Sequence, residues 1–270
     1  VFTLSLKNCR GDWVMGKLVF FDIDDTLLNH RKQVPDSAKQ AIRELQARGV
    51  DVAIATGRAP VMFKHLMKEL DIQSFVSCNG SYAVYRGEVV YKANINHEAL
   101  HALEAVAARK GHPMAFSDQN ALWVNQEFHP FVEQAINDLR VEKPEYRPQL
   151  DGDKEMYYAL VFCEEREEKY ILDFPQFRII RWHPKSVDLL PAGGSKARGI
   201  QTLLEKTGIR REDTFAFGDG LNDVEMLKFV GTGIAMGNAC EEAKEASDFI
   251  TKAVTEDGIK HGLEMAGLLS

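Results

Sequence analysis

The chain has 270 residues, of which 45% are hydrophobic and 27% charged, enough for a sizeable core in one large domain or two smaller ones. Its 33 basic and 40 acidic side chains leave a net charge of −7, which argues against a nucleic-acid partner. No apolar stretch approaches the ~20 residues that a membrane span needs, and Cys9, Cys78, Cys163 and Cys240 form no Cys-x-x-Cys pair, so reduced thiols in a cytoplasmic protein are expected.

Residues 1–14 lack the long apolar core of a secretory signal and are expected to lie outside the fold, which starts near Met15. An apolar run, Leu18-Val19-Phe20-Phe21, reads as a buried parallel strand and ends in Asp22, Asp24 and Asp25. Pro35-Asp36-Ser37 opens a helix whose apolar positions, Ala38, Ala41, Ile42 and Leu45, follow helical spacing until Gly49. Val50 to Ala55 is a second strand ending in Thr56-Gly57-Arg58. A helix over about 60–70 and a strand, Phe75 to Cys78, ending in Asn79-Gly80 complete a β-α-β-α-β pattern.

The rhythm then changes. Tyr82 to Tyr85 and Glu88 to Tyr91 read as a hairpin about Arg86-Gly87. Helices over about 98–110, 130–139 and 164–172 alternate with strands near 114–117, 121–125, 157–163, 178–182 and 187–190, and a polar stretch runs from Glu142 to Asp153. This mixture suggests a separate α+β unit, assigned to residues 84–185. After Pro191 the α/β pattern returns: a helix over 195–207, a strand Thr214 to Phe217 running into Gly218-Asp219-Gly220-Leu221-Asn222-Asp223, a helix, a short strand at 232–235, and two further helices. The expected architecture is an α/β, doubly wound parallel sheet (residues 15–83 and 186–270) interrupted by an inserted α+β domain.

Open α/β sheets place their chemistry beyond the carboxyl ends of their strands. Asp22 and Asp24 would lie close together there, and two neighbouring carboxylates stay ionised only beside a cation. Mg2+, a hard ion with a preference for oxygen, suits them. Thr56 ends the second strand, Lys196 opens the helix after the insertion, and Asp219, Asn222 and Asp223 follow a later strand. A carboxylate nucleophile, a cation, a lysine and a proton shuttle are what phosphoryl transfer requires.

The four segments DIDDT, the Thr of ATGR, the Lys of GGSKARGI, and GDGLND resemble, in order, the motifs of the haloacid dehalogenase superfamily of phosphohydrolases. The position of the insertion, Asn79-Gly80 and Glu256-Asp257-Gly258 are similar to the Cof-type branch. The resemblance implies that Asp22 attacks phosphorus, that Asp24 is the general acid and base, and that Mg2+ is held by Asp22, Asp219 and the Asp24 carbonyl. It further implies phosphate contacts from Thr56, Gly57, Arg58, Lys196 and Asn222, with Asp223 orienting Lys196 and Asn79 in support. The implied activity is hydrolysis of small phosphorylated metabolites, sugar phosphates among them, with specificity set by the inserted cap. A phosphotransferase or mutase using the same aspartate is the alternative, and a silent metabolite-binding protein would be expected to have lost Asp22 or Lys196.

Three other patterns are set aside. His97-Glu98-Ala99-Leu100-His101 has zinc-protease spacing, but Ala99, Leu100, Leu103 and Val106 claim the apolar face of that helix and leave both histidines toward solvent with Glu104. Gly231-Thr232-Gly233 lacks the third glycine of a dinucleotide fingerprint, and Gly193-Gly194-Ser195-Lys196 lacks Walker spacing.

Overall fold

The computed structural model describes residues 16–148 and 154–270, so the expectations for residues 1–14 and for the end of the polar stretch fall outside the described residues. In chain order the elements begin β1 (Leu18–Phe21), α1 (Asp36–Ala47), β2 (Asp51–Ala55), α2 (Lys64–Leu70), β3 (Ser74–Ser77), β4 (Tyr82–Tyr85) and β5 (Glu88–Lys92). They continue with α3 (His97–Lys110), β6 (Met114–Ser117), β7 (Leu122–Val124), α4 (Pro130–Leu139), β8 (Glu145–Tyr146), β9 (Tyr158–Val161), β10 (Phe177–His183) and β11 (Ser186–Pro191). The last are α5 (Lys196–Thr207), β12 (Thr214–Gly218), α6 (Val224–Phe229), β13 (Thr232–Ala235), α7 (Glu241–Glu245), β14 (Phe249–Ile250) and α8 (Gly258–Met265).

The described residues form two compact units, one of residues 16–57, 65–91 and 195–270, the other of residues 58–64, 92–148 and 154–194. The first is built on an eight-stranded sheet in the order β14-β13-β12-β1-β2-β3-β4-β5. The strands from β14 to β3 run parallel, and β4 turns back antiparallel on β3. β1 lies in the middle, with Phe21 opposite Phe217 on one side and Ile54 on the other. All four side chains of β1 are fully buried, as a strand covered on both faces requires. The Phe21 and Phe217 rings stack at 5.0 Å, locking the two strands whose ends carry Asp22 and Asp219. Helix α1 buries the four positions its spacing marked, and Gly49 follows its end in the left-handed region at φ 77°.

The second unit holds a six-stranded sheet, order β10-β11-β9-β6-β7-β8, antiparallel except where β7 meets β8. Its core packs Leu100, Leu103 and Ala107 of α3 against Met114, Phe116, Trp123, Ala159, Val161, Val187 and Leu189. Two boundaries differ from the sequence expectation. The hairpin β4–β5 was assigned to the insertion from residue 84, but it extends the first sheet through the pairs Phe75–Val84, Val76–Ala83 and Ser77–Tyr82. A hairpin's hydrophobic pattern names its own pairing and not the sheet that it joins. At the other end the second unit continues to Gly194, past residue 185, because β11 pairs with both β10 and β9.

Smaller differences have local causes. The helix expected over 164–172 is present over Glu165–Asp173 in 3₁₀ form, with Glu165, Glu167 and Glu168 crowded into its start. The two-residue strands β8 and β14 are too short for any alternation to reveal them. In α3 His101 is exposed, whereas the Nδ1 of His97 is buried without a hydrogen-bond partner and Glu104 accepts a bond from Asn125 at 3.0 Å. The expectation that all three face solvent is corrected: the helix turns its first residue and Glu104 partly inward.

Candidate active site

In the sheet order, β12, β1, β2 and β3 are consecutive and parallel, so their carboxyl ends open on one edge. Asp219 follows β12, Asp22 follows β1, Thr56 follows β2 and Asn79 follows β3. Chain order reverses between β12 and β2 around β1, which is the switch point where a crevice forms. Asp22 is held there by its own backbone, its N–H donating to Phe217 O at 3.0 Å.

Lys196 arrives from the first turn of α5, whose N-cap Ser195 accepts from Arg198 N–H. Its side chain is 0% exposed. The Nζ donates to Asp22 Oδ1 at 2.5 Å and to Asp223 Oδ1 at 2.6 Å. Such an approach depends on Gly80: it has φ 98°, and a Cβ there would stand 1.9 Å from the Ser195 carbonyl oxygen. The loop after β3 and the start of α5 therefore pack backbone against backbone, and the lysine at the head of the helix reaches the strand end.

Asp223 is fully committed within the protein. One oxygen receives Lys196, and the other accepts the N–H groups of Asp219 and Gly220, each at 3.0 Å. Gly218 makes room for it, since a Cβ at that position would lie 2.6 Å from the Asp223 carboxyl carbon. Asp219 accepts a bond from the Thr26 hydroxyl at 2.7 Å, a contact that sequence reading did not anticipate because 193 positions separate the two residues. Asn222 Nδ2 donates to Asn79 Oδ1 at 3.2 Å. Asn79 is fixed in turn by its N–H, which donates to Thr56 O at 3.0 Å, while Gly57 lies against the Asn79 amide.

Two expected residues stand differently. Asp24 pairs through its carboxylate with Lys32, Nζ to Oδ1 at 2.6 Å, an interaction unmarked in the sequence. Arg58 is buried and belongs to the second unit.

The electrostatics fit a cation. Ligand atoms of Asp22, Asp219 and Asp223 lie within 4.8 Å of one another, the one such group of three found among the described residues. Burial pushes the Asp22 carboxyl well above its ordinary range; Lys196 pulls it back, and Asp223, Asp219 and Asp24 push it up further. Burial likewise raises the Asp219 carboxyl to about 7, against the Thr26 hydrogen bond and Lys196, with Asp223 and Asp25 adding repulsion. Burial works against the Lys196 charge too, yet the Asp22 and Asp223 carboxylates outweigh it and hold the ammonium group's pKa high. One lysine thus leaves the acidic cluster short of positive charge, which suits a hard divalent ion. Because both oxygens of Asp223 are occupied, Asp22 and Asp219 are the carboxylates with oxygens left to offer it.

A buried lysine held among clustered aspartates at the switch point of a doubly wound sheet fits a hydrolase-type catalytic centre. Residues 19–263 match the family model of the haloacid dehalogenase-like hydrolases, and the chain belongs to that family. It is 43% identical over 254 residues to the Bacillus subtilis protein named "Putative phosphatase YkrA", covering 94% of this chain and 99% of that one. Among solved structures, a protein from Geobacillus kaustophilus HTA426 is 49% identical with a TM-score of 0.88, covering 94% of this chain and 100% of its own. The subclass IIB sugar phosphatase BT4131 is 33% identical with a TM-score of 0.84 over the same shares. No described helix is long and apolar enough to cross a membrane.

Proposed function

We propose that this hydrolase is a Mg2+-dependent phosphatase of small phosphorylated metabolites, sugar phosphates foremost, working through a phosphoryl group carried on Asp22. The observation that carries the reading is the buried Lys196 ammonium, held between Asp22 and Asp223 beside Asp219. In it Asp22 Oδ attacks phosphorus and the ester oxygen leaves, taking a proton from Asp24. Asp24 then accepts a proton from the water that releases phosphate from Asp22. Lys196 offsets charge on the phosphate oxygens and is itself aimed by Asp223. Thr56 and the Gly57 N–H hold further phosphate oxygens, with Asn222 positioned through Asn79. Bound at Asp22, Asp219 and the Asp24 carbonyl, Mg2+ would neutralise the clustered carboxylates and the phosphate charge.

The sugar-phosphate preference is supported by the likeness to BT4131, described as a sugar phosphatase. The second unit, placed in the chain between the Thr56 and Lys196 segments, is read as the specificity cap, and the cytoplasm as the compartment where such metabolites are met. A screen of the full-length protein with Mg2+ against sugar phosphates, nucleotides, cofactor phosphates and a phosphopeptide tests the reading. Release of phosphate from small sugar phosphates is the expected result; preference for the phosphopeptide would refute it, and transfer of the phosphoryl group to an added alcohol in place of water would move the assignment to a phosphotransferase.

A further inference from the structure

The turn after β13, residues 236–240, grips both catalytic loops of the first unit. Its backbone holds the loop after β12: Met236 N–H donates to Gly218 O at 3.0 Å and Cys240 N–H to Asp219 O at 2.9 Å. Its one side-chain reach goes to the loop after β1, where Asn238 Nδ2 donates to the carbonyl of Asp25 at 2.8 Å. The other end of the same amide accepts Val254 N–H at 2.8 Å. With a carbonyl on one side and an N–H on the other, only one orientation of the amide satisfies both. A carboxylate could not make the first bond.

Asp25, the residue so held, sits in the left-handed region at φ 55°, a conformation that costs a side chain with a Cβ more than glycine, though an aspartate less than most. Strain of this kind persists where the surroundings impose it. It also has an evident use: the turn at Asp25 carries the next residue, buried Thr26, back so that its hydroxyl reaches Asp219 Oδ1 at 2.7 Å. That leaves the other Asp219 oxygen as the one presented to a cation.

We propose that Asn238 is a positioning residue for the Mg2+ carboxylate: it clamps the left-handed turn at Asp25, and thereby the Thr26 hydroxyl that sets the orientation of Asp219. The proposal rests on the reading of Asp219 as a Mg2+ ligand. In this reading Asn238 acts on Asp219 through two intervening residues, Asp25 and Thr26. Its removal should be felt in metal affinity more than in the chemical step once metal saturates.

The test is Mg2+ binding by titration calorimetry on the full chain, with kcat and KM for an aryl phosphate measured alongside. Asn238→Asp keeps the acceptor for Val254 and loses the donor to Asp25; Asn238→Ser serves the same purpose should the first variant not fold. Each should weaken Mg2+ binding about tenfold, with kcat at saturating Mg2+ and KM within about threefold of wild type. Thr26→Val should weaken binding comparably, and Asn238→Asp combined with it should lose little more than either alone, since both act on one chain of contacts. Glycine accepts the left-handed conformation without strain. In an Asp25→Gly background the Asn238→Asp change should therefore cost less than about twofold. Unchanged Mg2+ affinity in the Asn238 variants, independent losses that multiply to about a hundredfold, or a full tenfold loss in the glycine background would each overturn the proposal. A wild-type chain that binds Mg2+ but hydrolyses no phosphate ester would refute the phosphatase reading and leave this inference standing; one that binds no Mg2+ would refute this inference.

Discussion

Replacing Lys196 by Met removes one charge while keeping most of the stem's volume, so the effect reports the charge and not a cavity. Lys196 and Asp223 side chains are both fully buried, and Asp22 is nearly so. Without the ammonium group, Asp22 and Asp223 would face each other having lost the cation that bridges them, although Asp223 would keep its two backbone donors. Breaking a buried pair by deleting one partner costs about 3–5 kcal/mol. At roughly 2–4 °C per kcal/mol for a domain of this size, the predicted fall in Tm is about 10 °C at pH 8. The loss should shrink on acidification. The Asp22 carboxyl is already raised by burial despite Lys196, and without the lysine it rises further. The folded mutant thus binds a proton that the unfolded chain has released, and its stability grows as pH falls toward the ordinary carboxylate range. A Tm deficit at pH 5 of less than half that at pH 8, both against wild type at the same pH without metal, is the expected outcome. Circular dichroism is the suitable probe, because two of the three tryptophans, Trp123 and Trp182, lie in the second unit and would weight fluorescence toward it. Turnover should fall by about 10²–10³ or more, the worth of one preorganised charged donor. A deficit below about 2 °C at pH 8, or one equally large at both pH values, would refute the argument that this lysine neutralises the buried carboxylates.

The other predictions follow from the same geometry. Asp22→Asn should abolish turnover, a loss of at least about 10³, while Tm stays within a few degrees, since Lys196 retains Asp223; phosphate release near the wild-type rate would remove Asp22 as the nucleophile. Asp24→Asn should slow hydrolysis of a sugar phosphate far more than that of an activated aryl phosphate, whose leaving group needs little protonation; equal losses in the phosphorylation step would count against the acid role. Because burial raises Asp219 to about 7 and raises Asp22 as well, the metal-free protein should lose stability as pH climbs from the ordinary carboxylate range through about 7, where Asp219 ionises, with Asp22 contributing in the same direction. Mg2+ should therefore raise Tm more at pH 8 than at pH 5.5 and release protons on binding; an equal shift at both pH values would contradict the placement of the ion at these carboxylates.

How much of this could be read from the chain depends on how far apart the partners are. Asp22, Thr56, Lys196 and Asp219 were legible because each follows a strand or opens a helix whose apolar pattern is itself visible, and the parallel α/β order then brings the ends together. The class of fold was legible for the same reason. Lys32 and Asn238 were not, nor was the role of Thr26, although that residue closes the DIDDT motif. Each is an ordinary polar residue in a turn, where the local expectation is a solvated or capping role. What distinguishes Thr26 is a carboxylate 193 positions away, and what distinguishes Asn238 is a carbonyl 213 positions away. The demand for glycine at 80 and 218 was hidden in the same way, since it comes from the Ser195 carbonyl and the Asp223 carboxylate that fill the missing Cβ positions. The fate of the hairpin at β4–β5 depended on the free edge of β3, which no residue within the hairpin records. Local pattern thus marked the groups that the sheet brings to one edge, and the contacts between them came only with the folded chain. A site of this kind is accordingly more sensitive to change than its motifs suggest: replacing an exposed asparagine far along the sequence should loosen the metal as surely as altering a residue inside the motif itself.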